Sequence, residues 1–170
     1  MKLHILRKIK KSFQYEKYLS IVKSSKYRRA LTSLRIASHK LEIETGRWTR
    51  KENGDKLDRS ERFCNFCKEN GDETVGDEIH AVIQCKTFEC ERNILFQKVN
   101  EKIPLFDTLN DKNKLLFLLS MENNLIINVA KFIHKVLSVK RETPGILKTI
   151  GKKRKKRKCN KKTPRVIPIS

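Results

Sequence analysis

Arg62-Phe-Cys-Asn-Phe-Cys67 and, further along, Asp77-Glu-Ile-His-Ala-Val-Ile-Gln-Cys85 decide how this sequence reads. Together they give the spacing Cys64-x2-Cys67-x12-His80-x4-Cys85. Two cysteines separated by two residues suit a tight turn that presents both thiolates to one ion. His80 and Cys85 lie about one helical turn or slightly more apart, so both can reach back to the same point. Three thiolates and one imidazole complete a tetrahedral zinc site with ligand distances of ~2.0–2.3 Å and leave no position open for water. The expected site is one structural Zn2+, not a hydrolytic centre. Asn70-Gly71-Asp72 supplies a turn between the two halves. Cys90 is a rival for the fourth position, but it lies further along the helix predicted to follow. His39 is a second rival, more simply read as a helix residue. The plain alternative is that the cysteines are small buried residues and His80 a satisfied polar group.

Metal matters here because little else can hold the segment. Its apolar side chains are Phe63, Phe66, Val75, Ile79, Val82 and Ile83. A cluster that small does not offset the entropy of ordering the chain. Metal binding would supply the difference.

Outward from the module the pattern is helical. Tyr15 to Lys23 reads as a short helix, and Ser24-Ser25 as a break with a new N-cap. A second helix is predicted from Lys26 to about Leu41, with Tyr27, Leu31, Leu34, Ala37 and Leu41 inward and Arg28, Arg29 and Arg35 on or near the outer surface. Gly46 ends that unit. Beyond the cysteines, helices are predicted over 86–102, closed by Pro104, and over 112–119. The strongest is predicted over 125–140, where Ile126, Val129, Ala130, Ile133 and Leu137 recur at helical spacing. The expected fold is mainly α: a small helical domain built around a zinc-knuckle module, with a disordered basic C-terminal tail. Its divisions are a basic arm or helix extension at 1–13, a helical pair at 14–48, a polar loop at 49–61, the zinc-knuckle with its helices at 62–142, and the tail at 143–170.

Charge divides the chain differently. The 170 residues carry a formal net charge of +21. Residues 1–62 hold 18 Lys/Arg against 7 Asp/Glu, residues 63–150 hold 12 of each, and residues 151–170 hold 10 basic side chains and no acidic ones. The excess sits at the two ends and points to a polyanionic partner, RNA or DNA. Lys26, Arg28, Arg29 and Arg35 are the expected folded basic face. Arg47, Trp48 and Arg50 add an aromatic that either stacks on an unpaired base or plugs the side of the metal module. Lys152, Lys153, Arg154, Lys155, Lys156, Arg157 and Lys158 read as a nuclear-localisation run or a phosphate-binding arm. Nuclear placement is therefore expected, cytoplasmic otherwise.

The five cysteines are odd in number, and residues 1–13 show no signal-peptide pattern, so a reducing compartment is expected, with Cys159 a free thiol. The longest apolar run, 115–119, is far too short to span a bilayer, and no membrane partner is expected.

The string Leu34-Arg-Ile-Ala-Ser-His-Lys-Leu-Glu-Ile-Glu-Thr-Gly-Arg-Trp48, followed by Arg62–Cys67 and Asp77–Cys85, resembles the region after the polymerase domain in non-LTR retrotransposon reverse transcriptases. In that family a Leu-Arg-x-x-x-His segment precedes Cys-x2-Cys, an acidic stretch and Glu-x-His-x4-Cys. The resemblance covers about residues 15–140 and implies a zinc-knuckle that helps hold RNA or target DNA, with Cys64, Cys67, His80 and Cys85 as the ligands. It also implies the polymerase part of such a protein as a partner. Departures are plain: no Tyr-x-Asp-Asp motif, Lys86 where a proline often follows the last cysteine, and a Lys/Arg-rich tail with no place in the pattern. No Ser/His/Asp order, Gly-rich phosphate loop or catalytic carboxylate pair stands out, so no enzymatic activity is expected. Asp77 and Glu78 read as groups that orient His80 or aid solubility. Two further readings are a protein-interaction module using the 112–140 helices and a transposon relic without function.

Overall fold

The computed structural model describes residues 4–10 and 14–139. The 143–170 tail, with its Lys152–Lys158 run and Cys159, lies outside them. Eight α-helices are present among the described residues: α1 His4–Ile9, α2 Tyr18–Ile21, α3 Ser25–Arg35, α4 Glu42–Thr45, α5 Asn65–Lys68, α6 Glu89–Asn100, α7 Asp111–Ser120 and α8 Leu125–Ser138. No strand forms among these residues; only two isolated bridges, Arg50 with Lys56 and Phe63 with Val75, run antiparallel. The fold is mainly α.

α8 is the hub. Ile126, Val129, Ala130, Ile133 and Val136 are fully buried along it, at the spacing that keeps one face of a 3.6-residue helix against its neighbours. α3 packs most extensively against that helix, α6 covers a second side, and α7 precedes it through a turn of 116°. Leu31 and Leu34 of α3, Leu95 and Val99 of α6, and Leu118 and Leu119 of α7 complete the core. Each such side chain contributes ~1.5–3 kcal/mol when withdrawn from water. The apolar stripe of the 112–140 helices is thus occupied by the chain itself. No single helix among the described residues is long and apolar enough to cross a membrane.

Several expected elements are shorter than their periodicity suggests. The 15–23 helix contracts to α2. The helix expected to run to Leu41 stops at Arg35, because Ala37 takes a left-handed φ of 52°. The chain then re-enters as α4, capped at its end by Gly46. Leu31, Leu34, Ala37 and Leu41 are buried as expected, while Tyr27 is half-buried and meets His134 of α8 edge-on, ring centroids 5.3 Å apart. The helix expected from Lys86 begins as a 3-10 turn at Lys86–Phe88 before α6 proper. Pro104 opens a further 3-10 turn, Pro104–Phe106. The 49–61 loop is ordered. It folds back at Asn53-Gly54, with Leu57 N–H donating to Thr49 O at 3.1 Å and Lys51 N–H to Asp55 O at 2.8 Å. Asp58 and Glu61 then cap a 3-10 turn reciprocally.

Candidate metal centre and the cationic surface

The first half of the site is a backbone turn. Cys64 N–H donates to Thr74 O and Gly76 N–H to Arg62 O, both at 2.8 Å, so the chain on either side of Asn70-Gly71 is zipped together. Cys67 and Lys68 N–H both donate back to Cys64 O, at 3.1 and 2.9 Å, and α5 swings Cys67 toward Cys64. Gly76 is required here by contact: a Cβ would come within 2.5 Å of Glu42 Oε2 and 3.1 Å of Cys64 Cα.

The second half solves a spacing problem. On an α-helix, residues five apart have rotated well past one turn and point to different faces. The chain instead winds one turn of π-helix, His80–Gln84, closed by Cys85 N–H donating to His80 O at 2.7 Å. That wider turn brings the His80 and Cys85 side chains to one point. Asp77 Oδ1 accepts the His80 backbone N–H at 2.8 Å and fixes where the turn starts.

The four donor atoms of Cys64, Cys67, His80 and Cys85 lie within 4.8 Å of one another, and all four residues are buried. Cys67 Sγ is 3.9 Å from Cys85 Sγ and 3.3 Å from His80 Nε2. Ligands on a tetrahedral ion at ~2.3 Å (sulfur) and ~2.0 Å (nitrogen) stand ~3.8 Å and ~3.5 Å apart. The donor set therefore fits one metal ion with four protein ligands. Cys90 is on α6, outside the cluster, and His39 is elsewhere as well.

The hydrogen bond between Cys64 and Cys85 pushes the Cys64 thiol up and holds Cys85 down, at about 3. Burial, and then the Cys85 charge, push Cys67 up. A divalent cation bound there would favour thiolate at Cys64 and Cys67 as well as at Cys85.

Groups around the site differ from expectation. Glu78 does not orient His80: its Oε1 is 3.1 Å from Nε2 of His39, and both side chains are almost fully buried. His39 Nδ1 accepts the Leu41 N–H at 3.4 Å. This pair ties the helical unit to the metal module across 39 residues of sequence. His80 Nδ1 is buried without a hydrogen-bond partner, unlike most ligand histidines. Arg92 carries no signature in the sequence beyond sharing a helix face with Leu95 and Val99. It is buried, and its Nη1 donates to Cys85 O at 2.7 Å. Burial pushes its guanidinium below the ordinary value.

The expected basic face is partly dismantled. Arg35 is not outward: it is 4% exposed, ion-paired to Glu16 at 2.8 Å and stacked over Tyr18 at 4.5 Å. Its position beside Leu31 and Leu34 draws it under the α2 segment. Arg28 is half-buried and donates to Leu19 O, and Arg47 pairs with Glu44 at 2.8 Å. Lys26, Arg29 and Arg50 remain exposed. Trp48 is 80% exposed, so it is no plug for the metal module. A cation pair that the sequence did not suggest joins Lys8 of α1 and Lys112 of α7. Repulsion from Lys112 holds the Lys8 ammonium below its usual value, and Arg59 and Asp77 line the same cavity of about 170 Å³.

No family model, curated protein or solved structure matches this chain.

Proposed function

We propose that the chain is a zinc-stabilised nucleic-acid-binding module, related to the region after the polymerase in non-LTR retrotransposon reverse transcriptases, that holds RNA or DNA mainly through phosphate contacts. The observation that carries this reading is charge: 40 Lys/Arg face 19 Asp/Glu, so most of the excess has no acid within the chain to meet it. Lysines and arginines in that position neutralise phosphates and release counterions. Lys26, Arg29, Arg50 and Trp48 are the folded contacts, and the Lys152–Lys158 run supplies a further arm and a nuclear address. The zinc assignment rests on donor chemistry, because three thiolates with one imidazole in a closed set of four suit Zn2+ above hard cations.

Native mass spectrometry of the full chain should show one zinc, lost with Cys85→Ser and kept with Cys90→Ser. Fluorescence-anisotropy titration with labelled RNA and DNA should give a log K that falls steeply and linearly with log salt. Binding that does not respond to salt, or no binding at low salt, overturns the reading.

A further inference from the structure

The 48–57 segment is a small finger. Its fold-back places Arg50 and Lys56 as a bridge pair, with the flanking bonds Leu57 to Thr49 and Lys51 to Asp55 running outside it. That is the non-hydrogen-bonded kind of pair, in which side chains of the two segments lie closest and on one face. Like charges directly opposite destabilise such a pair. Both residues are exposed, and Arg50 donates only to Gly54 O, at 3.2 Å. Of the acids nearby, Asp55 is held by Asn53, Asp58 by its cap and Glu61 by Lys51 at 2.7 Å, while exposed Glu52 at the turn forms no ion pair with either cation. Trp48 stands at the finger's root, two residues from Arg50, with polar residues and a glycine from Thr49 to Lys56 and half-buried Leu57 as the finger's one other large apolar side chain.

The root is anchored to the metal module. Arg62 donates to Ile43 O at 2.9 Å and to Leu57 O at 3.1 Å, two residues before Cys64. Gly46 lets it pass, since a Cβ there would meet Arg62 Cγ at 2.6 Å. An indole held out on an anchored root, beside two exposed cations that form no ion pair, is a stacking platform with phosphate contacts. In a duplex both faces of an internal base are already stacked, so this platform suits an unpaired base. A protein contact would call for broad apolar surroundings that exclude water from the aromatic, and half-buried Leu57 is the only other large apolar side chain of the finger.

Resting on the nucleic-acid reading above, we propose that this finger takes an unpaired nucleobase on Trp48 and the adjoining phosphates on Arg50 and Lys56, so that the chain prefers single strands to duplex. Trp48 is the sole tryptophan of the chain and reports directly. The test uses the full, zinc-loaded protein with a short oligothymidylate and a DNA duplex of equal phosphate number. The oligothymidylate should quench Trp48 fluorescence, and the duplex should quench it far less. Trp48→Ala should lower the ratio of single-strand to duplex affinity about 5- to 150-fold, with Trp48→Phe keeping most of it. Arg50→Gln and Lys56→Gln should each reduce the single-strand salt slope by about 0.7. Bound oligothymidylate that leaves Trp48 unquenched, with an unchanged ratio in Trp48→Ala, overturns this inference and leaves the broader reading standing. No binding of either probe at low salt overturns both. Self-association that Trp48→Ala abolishes, with quenching by neither probe, assigns the finger to a protein contact and also overturns the inference.

Discussion

The α3–α8 core and the Cys/His module share one apolar cluster, yet they differ in what else they carry. The core repeats one interaction many times over: Leu31, Leu34, Val129 and Ile133 are each withdrawn from water, and removing one leaves the others in place. The module shares that core through buried Phe66, Ala81, Val82 and Ile83, and adds a convergence of donor atoms. Four donor atoms converge within 4.8 Å, and the backbone between them is short turns with no helix longer than five residues. A distributed core loses stability in increments. A centre that needs all four ligands loses it at once. The junctions between the two, Arg92 on Cys85 O and His39 with Glu78, decide how far failure of one spreads to the other.

Removing a ligand tests that contrast most severely. Cys64→Ser, or chelation of the wild type, should abolish hydrogen-exchange protection over 62–88 while α3 and α8 keep most of theirs. Metal binding is worth roughly 10–16 kcal/mol to small structural zinc units, more than any single side chain can replace. Ile133→Ala should act in the opposite sense. It should lower overall stability by about 2–5 kcal/mol through the cavity it leaves, with metal stoichiometry unchanged at low temperature. If Cys64→Ser melts as the wild type does, the module is held by packing and the contrast fails.

What the sequence made legible follows the same division. α8 could be read because its stripe repeats over several turns, and the ligands because thiolates at these spacings have few other uses. The end of α3 could not be read. Ala37 adopts φ 52° with no glycine or proline there to signal a break, and the apolar pattern continues through Leu41 as if the helix did. Arg35 departs from its expected outward place for a related reason. Periodicity sets it at the margin of the buried face, and its fate depends on Glu16 and Tyr18, which arrive from another segment. His39 with Glu78 was invisible because a pair 39 residues apart leaves no local signature. The exposure of Trp48 is likewise a tertiary fact.

Arg92 tests the seam. Its guanidinium holds the carbonyl of a ligand residue, not a ligand atom, so its loss should loosen the site without emptying it. Arg92→Met should weaken metal affinity by about 10-fold, at the lower end of what lost outer partners of metal ligands cost. Competition with a chromophoric chelator would measure this. Arg92→Lys should recover part of the loss, because an ammonium can reach the same oxygen. Equal chelator competition in wild type and Arg92→Met would show that the module sets its own geometry and that the seam carries no coupling.

The finger between the two regions gives the smallest effect and belongs to neither. Its root is tied by half-buried polar contacts, among them Lys51 with Glu61. The hydrogen bond from Lys51, and then the Asp58 backbone N–H, hold the Glu61 carboxyl below the ordinary carboxylate value, and the same pair holds the Lys51 ammonium above its own. For Glu61 the folded pKa lies below the unfolded one. Its contribution is therefore present above pH about 4.5 and is lost as pH falls through the folded value. Water screens the pair, so the change in global stability should be slight. An NMR titration of the Glu61 carboxyl should show it below the ordinary range in the wild type and moved part of the way back in Lys51→Met, the Asp58 N–H remaining. The α8 amides should keep their chemical shifts through that titration. If Glu61 titrates at the ordinary value with Lys51 present, the pair does not form in solution, and the Arg62 clamp alone must hold the finger to the metal module.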